Sequence, residues 1–415
     1  MTTSQQSSDL GPIPKDWRVC TLGSLGEALI GLTYTPSDVK ANGTLVLRSS
    51  NIQGDALTFD DNVFVACDIP ERIRVRADDV LICVRNGSRN LIGKAVLLDC
   101  RVEGMTFGAF MAVYRSQIGP LVSYLFQSEI LKRQINEHLG ATINQITNKS
   151  LNSFLIPLAP TENERAAIAE ALSDVDALLT GLDRLIAKKC DIKQAAMQQL
   201  LTGQTRLPGF QGEWEKRILP DLADIRSGGT PSTNDPAAWD GDIAWCTPTD
   251  ITALAGRKYL GSTARQITAH GLKQSSAEII PAGSIVMTSR ATIGECAINT
   301  IPMTTNQGFK NFVPFDSVDA EFLYYLLTTQ KSGFISLCGG STFLEIGKAQ
   351  LRGYGVRVPT DKAEQTAIAN VLSDIDAELA ALEARRDKTR SLKQGMMQQL
   401  LTGKTRLVKP EAANV

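Results

Sequence analysis

The residues with the most chemical capability in this chain sit on two glycine turns. In VRNGSRNLIGKA, residues 84–95, Arg85, Asn86, Ser88, Arg89 and Lys94 cluster between two apolar runs. In MTSRATIGECAI, residues 287–298, Ser289, Arg290 and Thr292 hold matching places. Guanidinium forks, amides and short hydroxyls of this kind bind phosphates or read base edges. The first turn is no nucleotide-hydrolysing loop. That loop needs four residues between its glycines and a Ser or Thr after the lysine, whereas five residues separate Gly87 from Gly93 and Ala95 follows Lys94. Taken singly, either turn could be an ordinary solvated hairpin. Their occurrence at matching places in both halves favours function, because unconstrained loops drift.

Two more pairs of loops match. Arg48, Ser49 and Asn51 follow one strand-like run, and Thr247 and Thr249 follow its counterpart. Asn144, Gln145 and Asn148 in GATINQITNKS stand opposite Glu345 and Lys348 in GGSTFLEIGKA. These are candidate contacts to a nucleic acid, although amides and hydroxyls are also common turn residues. The inventory opposes catalysis. Only His138 and His270 are available, and eight dispersed cysteines form no CxxC pair. The thiols are expected as small buried residues in a reducing compartment. No glycine-rich cofactor loop, metal-spaced carboxylates or Asn/Asp-Pro-Pro-aromatic tetrapeptide is present, so this chain is expected to bind no cofactor or metal and to be no enzyme.

A formal net charge of −1 means that any polyanion site must be a local patch. No stretch approaches the roughly 20 apolar residues that span a bilayer, and the polar leader lacks a secretory core. A cytoplasmic protein with a frayed N-terminus is expected.

The elements that position these loops are legible from a repeat. Residues 164–207 end in MQQLLTGQTRL and residues 364–407 in MQQLLTGKTRL, and more than half of the aligned positions are identical. A weaker echo places Gly140, Thr142, Ile146 and Leu151 at the same offset as Gly340, Thr342, Ile346 and Leu351. Ile168, Leu172, Val175, Leu179, Leu182 and Ile186 recur at alternating steps of four and three, as do Ile368, Leu372, Ile375, Leu379 and Leu382. Each set is an a/d seam on a helix of about 60 Å. Thr161-x-x-Glu164 and Asp361-x-x-Glu364 fit capping boxes, and Gly203 and Gly403 fit left-handed caps. Lys189, Lys193, Thr389 and Lys393 interrupt the seam, which is expected to fray or switch partners there.

The intervening blocks hold short strand-like runs such as VLICVRN and SIVMTSR between glycine and asparagine turns. The expected fold is α+β, with two mixed α/β globules separated by long helices. Its segments are a disordered leader (1–16), a first globule (17–159), a central helix (160–207), a second globule (208–358), a C-terminal helix (359–407) and a tail (408–415).

With these features in place the chain resembles the specificity subunit of type I restriction-modification enzymes. The motifs that carry the resemblance are APTENERAAIAEALSDVDALL and VPTDKAEQTAIANVLSDIDAEL, the two MQQLLTG tails, and VRNGSRNLIGK with TSRATIGECAI. The likeness covers essentially the whole chain. It implies two target-recognition domains, each reading half of a split site in duplex DNA, and long helices packed antiparallel as a pseudo-twofold coiled coil. It also implies two methyltransferase subunits docked on the helices and restriction subunits joined through the complex. S-adenosylmethionine, ATP and Mg would be bound in those partners. The helices would fix the spacer between half-sites. A coiled-coil adaptor without DNA binding, or the specificity chain of a related non-type-I system, are the competing readings.

Overall fold

A computed structural model describes residues 5–6, 8, 10–140, 144–338 and 344–408. Thr142, Gly340 and Thr342 of the sequence echo, most of the residues before Leu10, and the tail after 408 lie outside the described residues. The chain divides into two compact units, Met1–Asp183 with Ala384–Val415, and Arg184–Glu383. Both divisions fall midway along a 39-residue helix, α1 (Glu162–Leu200) or α2 (Lys362–Leu400). Each unit therefore holds one globule, the first half of the helix that follows it and the second half of the other helix.

In the first unit Ala95–Leu97, Val80–Cys83, Met111–Ser116 and Gly26–Ile30 form an antiparallel four-stranded sheet in that order. A three-stranded sheet orders Thr106–Phe107, Val39–Leu47 and Val63–Val65, its first pairing parallel. All four residues of Val80–Cys83 are buried, because both faces of that strand are covered. Val80 and Ile82 pack with Leu121, Val122 and Leu125 of helix Gly119–Gln127. Leu81 and Cys83 point the other way, into a cluster with Leu45, Leu47 and Phe107. The period-two alternation of a strand thus feeds two cores.

The second unit repeats this plan. Its sheet orders Ala223–Ser227, Phe309–Pro314, Ile285–Thr288, Cys296–Asn299 and Tyr259–Leu260, and a second sheet orders Arg265–Ile267, Trp239–Cys246 and Thr304–Thr305. Ile285 and Met287 face the cluster that holds Phe322, Leu323 and Leu326 of helix Ala320–Thr329, while Val286 faces the opposite one.

The seam does more than pair helices. Ile168 and Leu172 belong to the core of the first globule, together with Met397, Leu400 and Leu401 from the far end of α2. Ile368 and Leu372 do the same in the second unit, with Leu200 and Leu201 from the end of α1. Leu182, Ile186 and Leu379 are buried, and Val175, Leu179, Ile375 and Leu382 are half-buried. Burying a leucine of this kind contributes about 1.5–3 kcal/mol.

Within each unit the two half-helices run antiparallel, as their ion pairs show. In the first unit Asp176 meets Lys393 at 2.7 Å and Asp183 meets Arg386 at 3.8 Å. In the second, Asp376 meets Lys193 at 2.6 Å and Glu378 meets Lys189. The seam lysines expected to mark fraying are thus held by carboxylates of the facing helix. Tyr124 donates to Asp176 at 3.0 Å, with the Lys393 ammonium 5.3 Å from its ring centre. Tyr325 donates to Asp376 at 2.6 Å, with Lys193 5.9 Å from its ring centre. Burial, and after it the facing carboxylate, pushes both phenols up, so each stays a proton donor.

The expected capping boxes are half realised. Thr161 accepts from the Glu164 backbone at 3.2 Å, and Asp361 accepts from Ala363 at 2.8 Å. The glutamate side chains are diverted to arginines far along the chain. Arg406 forks onto Glu164, with one arm at 2.7 Å, and also reaches Asp16. Arg206 forks onto Glu364 at 2.5 and 2.7 Å, and Trp214 donates to the same carboxylate at 3.3 Å. Gly203 and Gly403 have φ of 72° and 67°, as left-handed caps require. A Cβ on Gly203 would meet the Trp214 ring at 3.1 Å, and one on Gly403 would meet Pro14 at 2.6 Å. That close approach engages part of the leader expected to be disordered. Gln5–Gln6 pairs with Ile13–Pro14, and Ile13 is 1% exposed.

All eight cysteines are free, but only Cys83, Cys246, Cys296 and Cys338 are buried. Cys100 and Cys190 are exposed, against expectation, because one lies in a surface turn and the other on the outer face of α1.

Truncating Glu364 to Ala would strand the Arg206 guanidinium without its carboxylate. We expect E364A to cost about 3 kcal/mol, and E364A/R206M to recover much of that loss, when both are compared by thermal denaturation.

Candidate nucleic-acid interface

Four loops converge in each globule. In the first, Arg85 bridges Gln145, and Ile146 donates its backbone N–H to the Val84 carbonyl at 2.8 Å. The Val84 and Arg85 backbone N–H groups donate to the Phe110 carbonyl at 3.1 Å. Asn86 donates its side-chain amide to Ser49 Oγ at 3.3 Å. The turns at 48–51 and 144–148 are therefore each joined to the turn at 85–94, which is also tied to Phe110. In the second globule Arg290 bridges Glu345, Ile346 donates to the Ser289 carbonyl at 3.0 Å, and Ser289 donates to Gly308 at 2.7 Å. Asn306 donates to the Cys246 carbonyl at 3.0 Å, which ties in the turn that starts at Thr247.

The side chains divide into free and committed sets. Arg85, Ser88, Asn144 and Gln145 are exposed in the first globule, as are Thr249 and Thr292 in the second. Asn86, Ser49, Thr247 and Lys348 are half-buried at the rim. Asn51, expected as a contact residue, is fully buried: its Oδ1 accepts from the Arg48 backbone at 2.9 Å and its amide donates to Thr58 at 3.0 Å. Ser289 is also fully buried. Arg89 donates to the carbonyls of Gly140 and Asn136 at the end of helix Glu129–Leu139, which satisfies carbonyls left open by the helix terminus. Asn148 donates to the Ala28 carbonyl at 2.8 Å. Lys94 lines a separate recess with Asp55, Arg89 and Lys132. Asn51, Ser289, Arg89 and Asn148 are thus buried in or bonded to the fold, whereas Lys94 is exposed.

Two of the arginines are neutralised locally. Arg48 pairs with Asp61 at 2.8 Å and Arg290 with Glu345 at 2.9 Å. Arg85 instead lies over the Phe110 ring, 5.2 Å from its centre, and Phe110 is itself 59% exposed. A groove of about 790 Å³ runs beside it, lined by Tyr34, Val39, Arg48, Ser49, Val63 and Phe110. Residue types and spacing did not indicate Phe110. Nothing in the sequence separates it from the neighbouring aromatics Phe107 and Tyr114, which are buried. Lys310 was also missed. It is buried beside the Arg290 loop, its ammonium donating to the Phe309 carbonyl at 3.3 Å. Burial lowers its pKa; Glu345 opposes that shift, and Arg290 and Lys348 reinforce it.

Residues 14–188 and 211–389 each match the type I restriction modification DNA specificity domain. The chain belongs to that family. Each specificity domain comprises one globule and the first part of the helix that follows it. The type I restriction enzyme MjaIX specificity subunit of Methanocaldococcus jannaschii is 41% identical over 175 residues, covering 42% of this chain and 40% of that protein. The EcoR124I/EcoR124II specificity subunit of Escherichia coli is 26% identical over 239 residues, covering 56% and 57% respectively. The chain thus matches about half the length of these curated relatives. A type I restriction-modification specificity subunit from M. genitalium shares the fold, with a TM-score of 0.56 at 16% identity over 97% of this chain and 99% of that one. A chain from a structure of type I R-M complex assembly and conformational transition gives a TM-score of 0.59 at 18% identity, over 95% and 99%. Among the described residues of this specificity-family chain no helix is long and apolar enough to cross a membrane, and no group of His, Cys, Asp and Glu could hold a metal ion.

Because the folded-state pKa of Lys310 lies below the ordinary 10.5, the folded chain binds fewer protons than the unfolded one in the window between those values. Stability therefore rises with pH across that window. Replacing Lys310 by Met should abolish that rise and raise the melting temperature at pH 7, where the buried ammonium is charged, as read by calorimetry across a pH series.

Proposed function

We propose that this chain reads a split sequence in duplex DNA as the specificity subunit of a type I restriction-modification complex. The observation that carries the reading is the doubled match to the DNA specificity domain, in register with two globules whose exposed amides and arginines converge on equivalent loops. Each globule reads one half-site. Phosphate contacts by exposed rim residues set the register, and side chains that reach base edges supply the sequence information.

The helices serve two purposes in this reading. Their antiparallel halves offer two equivalent docking surfaces, which two identical methyltransferase subunits use. Their length fixes the non-specific spacer, since half-sites on one face of DNA recur about every 34 Å. Methyl transfer to adenine from S-adenosylmethionine, and cleavage driven by ATP with Mg, belong to the methyltransferase and restriction subunits. This chain contributes no reacting group. The adaptor reading draws no support from the family match.

Methylome sequencing of a host with and without this chain is the direct test. A split adenine-methylated motif should vanish on deletion, and its persistence would refute the assignment. Adding one helical turn after Leu179 and another after Leu379 should lengthen the spacer of that motif, as read by the same sequencing. Because the net charge is −1, little counterion release is available to this chain alone. At equal salt, the isolated chain should bind its site far more weakly than the complex with methyltransferase, as measured by fluorescence titration.

A further inference from the structure

The second globule carries an arginine that no motif indicated. Arg265 is exposed on strand Arg265–Ile267 and pairs in register with Trp245 of the neighbouring strand. Its guanidinium lies 3.8 Å from the centre of the Trp239 ring and 5.3 Å from that of Trp245. The two indoles stand edge to face at 4.9 Å. Both are fixed from below: Trp239 Nε1 donates to the Ser232 carbonyl at 3.0 Å and Trp245 Nε1 to the Gly229 carbonyl at 2.9 Å. Among the described residues no carboxylate pairs with Arg265, unlike Arg290 with Glu345 and Arg226 with Asp224.

The arginine adjoins the converging loops. Its chain neighbour Ala264 donates to Asp250 at 2.8 Å, and Asp250 anchors the Thr247 turn at 2.7 Å. On the other side, the Gly229 backbone held by Trp245 leads to Thr230, which hydrogen-bonds Gln307 beside the Gly308 loop of Arg290. In the first globule the strand partner of Val46 at the equivalent place is Val63, with no cation. The two faces thus differ in chemistry at one matched position.

We propose that Arg265 is a specificity-determining residue of the second globule, reading a guanine edge in its half-site; this rests on the DNA-reading function above. A guanidinium stacked on aromatic faces keeps its donor fork directed outward at little further entropic cost. Guanine O6 and N7 accept such a fork in the major groove, and no other base offers two acceptors there. A flexible phosphate clamp would gain little from two anchored tryptophans.

The test uses the complex co-purified with its methyltransferase subunit, titrated with duplexes that carry the methylated motif or single base-pair changes in it. Arg265→Ala should reduce discrimination at one G·C pair of one half-site by roughly ten- to hundredfold and leave the other half-site unchanged. R265K should restore part of it. Unaltered discrimination at every position would overturn the proposal. So would uniform weakening on all duplexes with a shallower salt dependence, which marks a phosphate contact. Melting of the R265A complex at the wild-type temperature keeps a folding defect out of the comparison. If the wild-type complex itself shows no sequence preference, it is the DNA-reading function that fails, before any variant is made.

Discussion

A buried glutamate at the start of each long helix, gripped by an arginine from the end of the other, is the interaction on which this architecture depends. Glu164 is 1% exposed and Glu364 2%, so neither carboxylate has water to solvate it. Arg406 and Arg206 supply that solvation through forked, charge-assisted hydrogen bonds. Breaking such a pair costs more than the pair itself contributes, because the remaining charge loses its forked partner in a largely buried site. The glycine three residues before each arginine gives the chain room to turn under a tryptophan-bearing segment. The duplicated MQQLLTG-x-TRL wording is therefore the text of a joint. Each copy closes the unit of the other.

Between the joints, specificity comes from polar groups inside an apolar seam. Lys193 and Lys393 each meet an aspartate on the facing helix and the face of a tyrosine from the nearby globule. A purely aliphatic seam tolerates slippage by a heptad, whereas a lysine with one matching carboxylate and one matching phenol does not. The same groups tie helix register to globule position, since the tyrosines belong to helices packed on the larger sheet of each globule.

Much of this was legible in residue spacing. The four–three recurrence from Ile168 and from Ile368 identified both helices, and glycine-bounded apolar runs such as VLIC and IVMT identified the central strands. The matched turns at Arg85 and Arg290 do lie in equivalent places beside Gln145 and Glu345. What the spacing hid was long-range pairing. Glu164 reads as a local cap, yet its arginine is 242 residues away. Lys193 reads as a break in a seam until Asp376 stands opposite. Asn51 reads as an exposed amide, but the turn it organises closes over it. Arg265 looks like any strand arginine, because its stacking depends on a cross-strand register that composition does not encode.

The discontinuity of the first unit bears on how the protein is made. Its core includes Met397, Leu400 and Leu401, and Gly403 and Arg406 seat against Pro14 and Asp16. Those residues of the helix end are synthesised after the whole of the second unit, which is one uninterrupted stretch, Arg184–Glu383. The N-terminal globule must therefore wait, with part of its apolar surface uncovered, while the later half of the chain can complete itself first. The order in which domains ordinarily fold as they emerge is inverted here, and a chain interrupted before residue 397 would leave the first globule without a finished interior.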